Sequence, residues 1–97
     1  MRRELEDYRI ELLEKALTVL GYRGGRHVGS PSEDYVYRKG NLHIILKEKR
    51  NRIIFHIHRD SPHHLYPARK AGTDIEDEFK RIVRTYKNEA RRRAISL

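Results

Sequence analysis

The sequence predicts an α+β domain: a two-layer αβββα sandwich, with a three-stranded antiparallel sheet carrying both helices on one face. Three observations predict it. From Tyr35 to His58 apolar and polar side chains alternate, the two-residue period of a half-buried sheet. A segment with apolar residues at three/four spacing flanks that region on each side. The alternation also leaves the sheet with one strongly apolar face, which the stripes of two helices can cover together.

The first helix is expected over 3–20. Leu5, Leu12, Leu13, Ala16, Leu17, Val19 and Leu20 make its stripe, and Glu4, Glu6 and Asp7 at its start suit the helix dipole. Gly21 is placed to end it as the C′ residue, with Tyr22 folding back on the last turn. Residues 23–33 hold three glycines and a proline and read as a loop. Strands are expected over 34–38, 42–48 and 51–58. The first hairpin turns at Lys39-Gly40-Asn41 and the second at Lys49-Arg50. That register pairs Leu46 with Ile53, Ile44 with Phe55 and Leu42 with Ile57, and sets His43 opposite His56. Residues 59–72 form a second loop, with Leu65 and Tyr66 as anchors. The second helix starts at a Thr73-Asp74-Ile75-Glu76 capping box, and Ile75, Phe79, Ile82, Val83, Tyr86 and Ala90 form its stripe. Glu76–Lys80, Asp77–Arg81 and Glu89–Arg93 are expected as i,i+4 pairs on its outer side.

A chain of 97 residues makes one domain, 1–97, and buries roughly 65% of its unfolded surface. No stretch approaches the ~20 apolar residues of a membrane span, so no membrane partner is expected. The start has no apolar h-region, and a cytoplasmic protein is the expectation. With no cysteine, neither disulfides nor thiolate metal sites are available. Gln and Cys are absent, Met occurs once and Arg outnumbers Lys fifteen to seven, the composition of a thermophile protein.

The net charge of +8 is unevenly placed. Residues 21–59 carry nine basic and three acidic side chains, and residues 79–97 carry seven basic and one acidic. A basic surface of this kind attracts nucleic acid or other acidic partners. Arg38, Lys47, Arg50, Arg52, Arg84, Arg91, Arg92 and Arg93 are the candidate phosphate contacts. The arginines that close the second helix also suit its C-terminal dipole.

The sheet face away from the helices carries Val36, Ile45 and Ile54 among basic residues. Three uses are open: a homodimer interface through this apolar stripe, a nucleic-acid platform, or a plain soluble surface. His43, His56 and His58 share that face. They suggest a His-rich polar surface, a metal site through His56 and His58, or general acid–base cleavage of RNA by His43 and His56. Gly24-Gly25 between Arg23 and Arg26 lacks the Lys-Ser/Thr of a phosphate-binding loop and reads as a linker. Asp34 with Glu48-Lys49-Arg50 is similar to the Asp…Glu-x-Lys pattern of restriction-type nucleases, which needs converging carboxylates.

The αβββα order resembles double-stranded-RNA-binding domains over residues 5–90. That resemblance implies phosphate binding by a basic start to the second helix, where this chain has Asp74, Glu76, Asp77 and Glu78. Leu20-Gly21-Tyr22, Gly29-Ser30, and His56-Ile57-His58 before Pro62 are similar to HicA-type toxin ribonucleases. In that family a catalytic histidine follows the Gly-Ser, and Pro31 stands there in this chain. Together these features point to a small, basic, non-enzymatic module that binds DNA or RNA or regulates, with no cofactor. A homodimeric interaction domain and a metal-independent ribonuclease are the alternatives.

Overall fold

The computed structural model of the chain describes residues 1–26, 34–60 and 75–93. Seven elements follow one another: β1 (Arg2–Glu6), α1 (Ile10–Val19), β2 (Arg23–Arg26), β3 (Tyr35–Lys39), β4 (Leu42–Lys49), β5 (Arg52–Arg59) and α2 (Ile75–Arg92). The five strands form one antiparallel sheet in the order β1-β5-β4-β3-β2. The class is α+β, as expected, but the sheet has five strands where the sequence pattern predicts three.

The two additional strands lie at the edges. β1 occupies residues expected to open the first helix, which instead begins at Ile10. Its partner is β5, with Leu5 opposite Ile53 and Arg3 opposite Phe55. Only Leu5 of this strand is buried. Arg3, on the core side, reaches over to α2, where it pairs with Glu76 at 2.8 Å and lies 5.9 Å from the centre of the Phe79 ring. At Asp7 the chain reverses with φ 63°, and the Asp7 N–H donates to the Asn51 carbonyl at 3.0 Å.

β2 occupies the Arg-Gly-Gly-Arg stretch expected as a linker, and pairs with β3. Gly24, at φ 149°, shows why glycine stands there: a Cβ would lie 1.9 Å from the Val36 carbonyl oxygen. Close backbone approach takes the place of a side-chain signal.

The second hairpin turns one residue later than expected, at Arg50-Asn51, with Asn51 in the left-handed region at φ 66°. Asn tolerates that conformation better than Lys or Arg. The pairing therefore shifts by two residues, to Leu46 with Phe55, Ile44 with Ile57 and Leu42 with Arg59. A shift of two preserves every side chain's face, so the apolar face survives intact. The first hairpin turns through Gly40-Asn41 and keeps Tyr35 and Tyr37 on the core side.

Both helices cover that side. One cluster joins Leu12, Leu13, Ala16 and Leu17 of α1, Ile82, Tyr86 and Ala90 of α2, and Tyr37, Ile44, Leu46, Ile53, Phe55 and Ile57 of the sheet. Phe55 meets Phe79 edge-on at 5.2 Å. Tyr86 links the helices to the entry of α1: its hydroxyl accepts the Arg9 N–H at 2.9 Å, and its ring stacks on Tyr8 at 4.2 Å. As expected, Gly21 (φ 95°) ends α1, with Tyr22 N–H donating to the Leu17 carbonyl and Gly21 N–H to that of Thr18.

The acidic start of α2 is used inside as well as outside. Glu78 is buried, accepts the Tyr22 hydroxyl at 2.5 Å, and lies 3.4 Å from the Lys39 ammonium. Glu89, also buried, pairs with Arg92 at 3.4 Å. Thr73 and Asp74 of the capping box, the Gly29-Ser30 pair, and the anchors Leu65 and Tyr66 lie outside the described residues. Among those described, no helix is long and apolar enough to cross a membrane.

Candidate functional site on the uncovered sheet face

Strand alternation sends every second residue to the side opposite the helices. The register then arranges these residues in rows across the sheet. Arg23, Arg38, His43 and His58 form one row. The next holds Gly25, Val36, Ile45, His56 and Arg2. A third holds Lys47, Ile54 and Glu4, and a fourth Lys49, Arg52 and Glu6. Among the described residues no helix covers this surface.

It is basic but partly compensated. Arg52 pairs with Glu4 at 2.9 Å and Arg38 with Asp60 at 3.4 Å. Arg2, Arg23, Lys47 and Lys49 are exposed and make no ion pair among the described residues. Between them lies a concavity of about 260 Å³, with Ile45 and Ile54 as its apolar part and Arg2, Lys47, His56 and Asp34 around it. His56 is held below the usual imidazole value, first by desolvation and then by the positive groups near it, the amino terminus, His58, Arg2 and His43. It is therefore neutral at physiological pH, able to stack or to exchange a hydrogen bond.

The expected sites are distributed as follows. Arg38, Lys47 and Arg52 lie on this face, and Arg50 lies in the β4–β5 turn. Arg84, Arg91, Arg92 and Arg93 are exposed on α2 and beyond its end, in the helical layer, so the eight do not form one footprint. Val36 faces Ile45 directly, while Ile54 faces Lys47. This stripe is not an open apolar patch: Ile54 is 9% exposed, and Val19 is the only large apolar residue classed as exposed among those described. The pairing of His43 with His56 is corrected by the register, which sets His43 opposite His58 and His56 opposite Ile45. Asp34 and Glu48 fall on opposite sides of the sheet by strand parity, so they do not converge as nuclease carboxylates.

One participant escaped sequence reasoning. Arg2 joins the face because β1 is a strand, and a pattern read as helix gave no sign of it. Asp60 enters beside His43 and His58 because its N–H donates to the Asn41 carbonyl at 2.7 Å, a contact across the sheet end.

Comparison with family models, curated proteins and solved structures finds no match for this chain.

Proposed function

We propose that the protein is a nucleic-acid-binding module that takes single-stranded RNA or DNA on the uncovered sheet face. The observation that carries this is the concavity over Ile45 and Ile54, rimmed by Arg2 and Lys47, cations that make no ion pair among the described residues. An apolar floor suits the face of a base, and cations beside it suit the phosphates on either side. His43, His56 and His58 add flat rings, the side-chain type that stacks on unpaired bases. Arg23 and Lys49 extend the positive rim along the strands.

The arginines of α2 lie in the helical layer, where Arg92 pairs with Glu89 and cations suit the C-terminal dipole. Dimerisation through Val36, Ile45 and Ile54 has less support, because Ile54 is already shielded and Val36 and Ile45 are half-buried. A stable self-interface needs a larger exposed apolar area. Ribonuclease action by His43 and His56 has less support, because the register sets His43 opposite His58 and His56 opposite Ile45.

Fluorescence anisotropy with labelled 20-nucleotide RNA and DNA strands tests the proposal. Binding at 50 mM salt should weaken steeply with added salt, each phosphate contact contributing about 0.7 to the log–log slope. Absence of binding to both strands at that salt would remove it.

A further inference from the structure

We infer that His43, His58 and Asp60 form a site for one divalent transition-metal ion, of the zinc or cobalt type. The site shares His43 and His58 with the face proposed for nucleic acid, but it rests on its own geometry and does not depend on that reading. The cross-strand register sets the two imidazoles side by side, with ring centres 4.8 Å apart. Asp60 closes the third side, held by the hydrogen bond from its own N–H to Asn41. His43 Nδ1 lies 3.6 Å, and His58 Nε2 3.5 Å, from the same oxygen, Asp60 Oδ1. All three ligand atoms lie within 4.8 Å of one another.

Those separations are long for hydrogen bonds. The two distances to Asp60 Oδ1 match the edge of a tetrahedron instead: two ligands each about 2.0–2.2 Å from a common ion are about 3.3–3.6 Å apart. Two imidazoles and a carboxylate are a donor set for zinc, cobalt, nickel or iron, and not for magnesium or calcium, which take oxygen. His43 Nε2 and His58 Nδ1, the nitrogens turned away from Asp60, are buried and have no hydrogen-bond partner among the described residues. Three protein ligands leave a fourth position for water, and Asp60 and His58 are open enough for an ion to enter, at 42% and 38% side-chain exposure. The Arg38 guanidinium, 3.4 Å from Asp60 Oδ2, holds the second carboxylate oxygen and leaves Oδ1 to the ion. Its charge also moderates the affinity, which sets the site below closed structural zinc sites in strength.

The test is calorimetric titration of the full chain with zinc chloride, together with visible absorption of the cobalt form. One equivalent should bind, and cobalt should give the intense bands of a four-coordinate site. His58→Gln and Asp60→Asn should each weaken zinc binding at least about tenfold. His56→Ala, which changes the third imidazole on the face, should leave it unchanged, and magnesium should not compete. His43→Ala touches a less exposed position, so its melting curve is recorded without metal, and the exposed His58 and Asp60 variants decide the matter if it does not fold. Wild type that takes up no stoichiometric zinc overturns the inference, as does undiminished binding by both His58→Gln and Asp60→Asn.

Discussion

Replacing Tyr22 by phenylalanine removes one oxygen and tests how α1, β3 and α2 are locked together. The Tyr22 hydroxyl donates at 2.5 Å to Glu78, which is 1% exposed. Lys39 stands 3.4 Å from the same carboxylate oxygen, lies 4.8 Å from the centre of the Tyr22 ring, and donates to the Leu20 carbonyl at 3.1 Å. The phenylalanine variant keeps the ring and leaves the buried carboxylate short of its closest donor. A hydrogen bond to a charged group is worth about 1.5–3 kcal/mol. A domain of this size shifts by about 4–8 °C per kcal/mol, so the melting temperature should fall by at least about 6 °C. Circular dichroism during heating and in urea measures it. Glu78→Gln in the Tyr22→Phe background should recover part of the loss, because an amide is cheaper to leave buried than a carboxylate. A change below about 0.5 kcal/mol for Tyr22→Phe, within the range of ordinary surface substitutions, would refute the reasoning.

Burial raises the Tyr22 phenol above its ordinary value of 10.0, with Glu78 adding to the rise, and burial raises that of Tyr37 as well. A raised folded value stabilises only while the unfolded phenol also keeps its proton. The contribution of these two phenols should therefore be constant up to about pH 10 and be lost above it, and Tyr22→Phe should shallow the fall in alkaline urea titrations. Gly24→Ala drives a methyl against the Val36 carbonyl and should cost about 1–3 kcal/mol. The accompanying sign is faster amide exchange over 23–26 and along β3, and unchanged exchange would count against the register of β2. Phe55→Ala empties a fully buried position against Phe79 and should cost about 3–5 kcal/mol in urea denaturation. Lys47→Glu should weaken binding of a single strand and lower its salt slope, while Arg84→Glu on α2 should change neither by the same amount.

The parts of the fold that were legible had a local signal. Gly21 could be placed as the end of α1 because only positive φ lets the chain reverse there, and Tyr35 to His58 alternated cleanly. The edge strands had no such signal. Leu5 lies seven residues before Leu12, so it fits a helical stripe as well as a strand. What decides in favour of β1 is the free edge of β5, about fifty residues on, which needs backbone partners. β2 contains no apolar residue and owes its place to a glycine that lets two backbones meet. The register was missed through the turn: Lys49-Arg50 looked adequate because a two-residue slip preserves the faces, and the left-handed preference of Asn51 decided otherwise. That slip is small for the core and large for the site, since it replaces the neighbour of His43. The charge on the uncovered face could be foreseen from parity, whereas the position of Arg2 and Asp60 depends on pairings far apart in sequence.

The most direct measurement is methyl NMR of isoleucine-labelled protein titrated with a single-stranded oligonucleotide at low salt. Ile45 and Ile54 look away from the helices, and Ile44, Ile53 and Ile57 alternate with them on the same two strands but look inward. Ile82 reports on α2. Shifts confined to Ile45 and Ile54, with the four interior methyls still, are the expected result. Movement of Ile82 alone, or no movement of Ile45 and Ile54 while the oligonucleotide is bound, would place the contact on the helical layer and contradict a binding surface on the open side of the sheet.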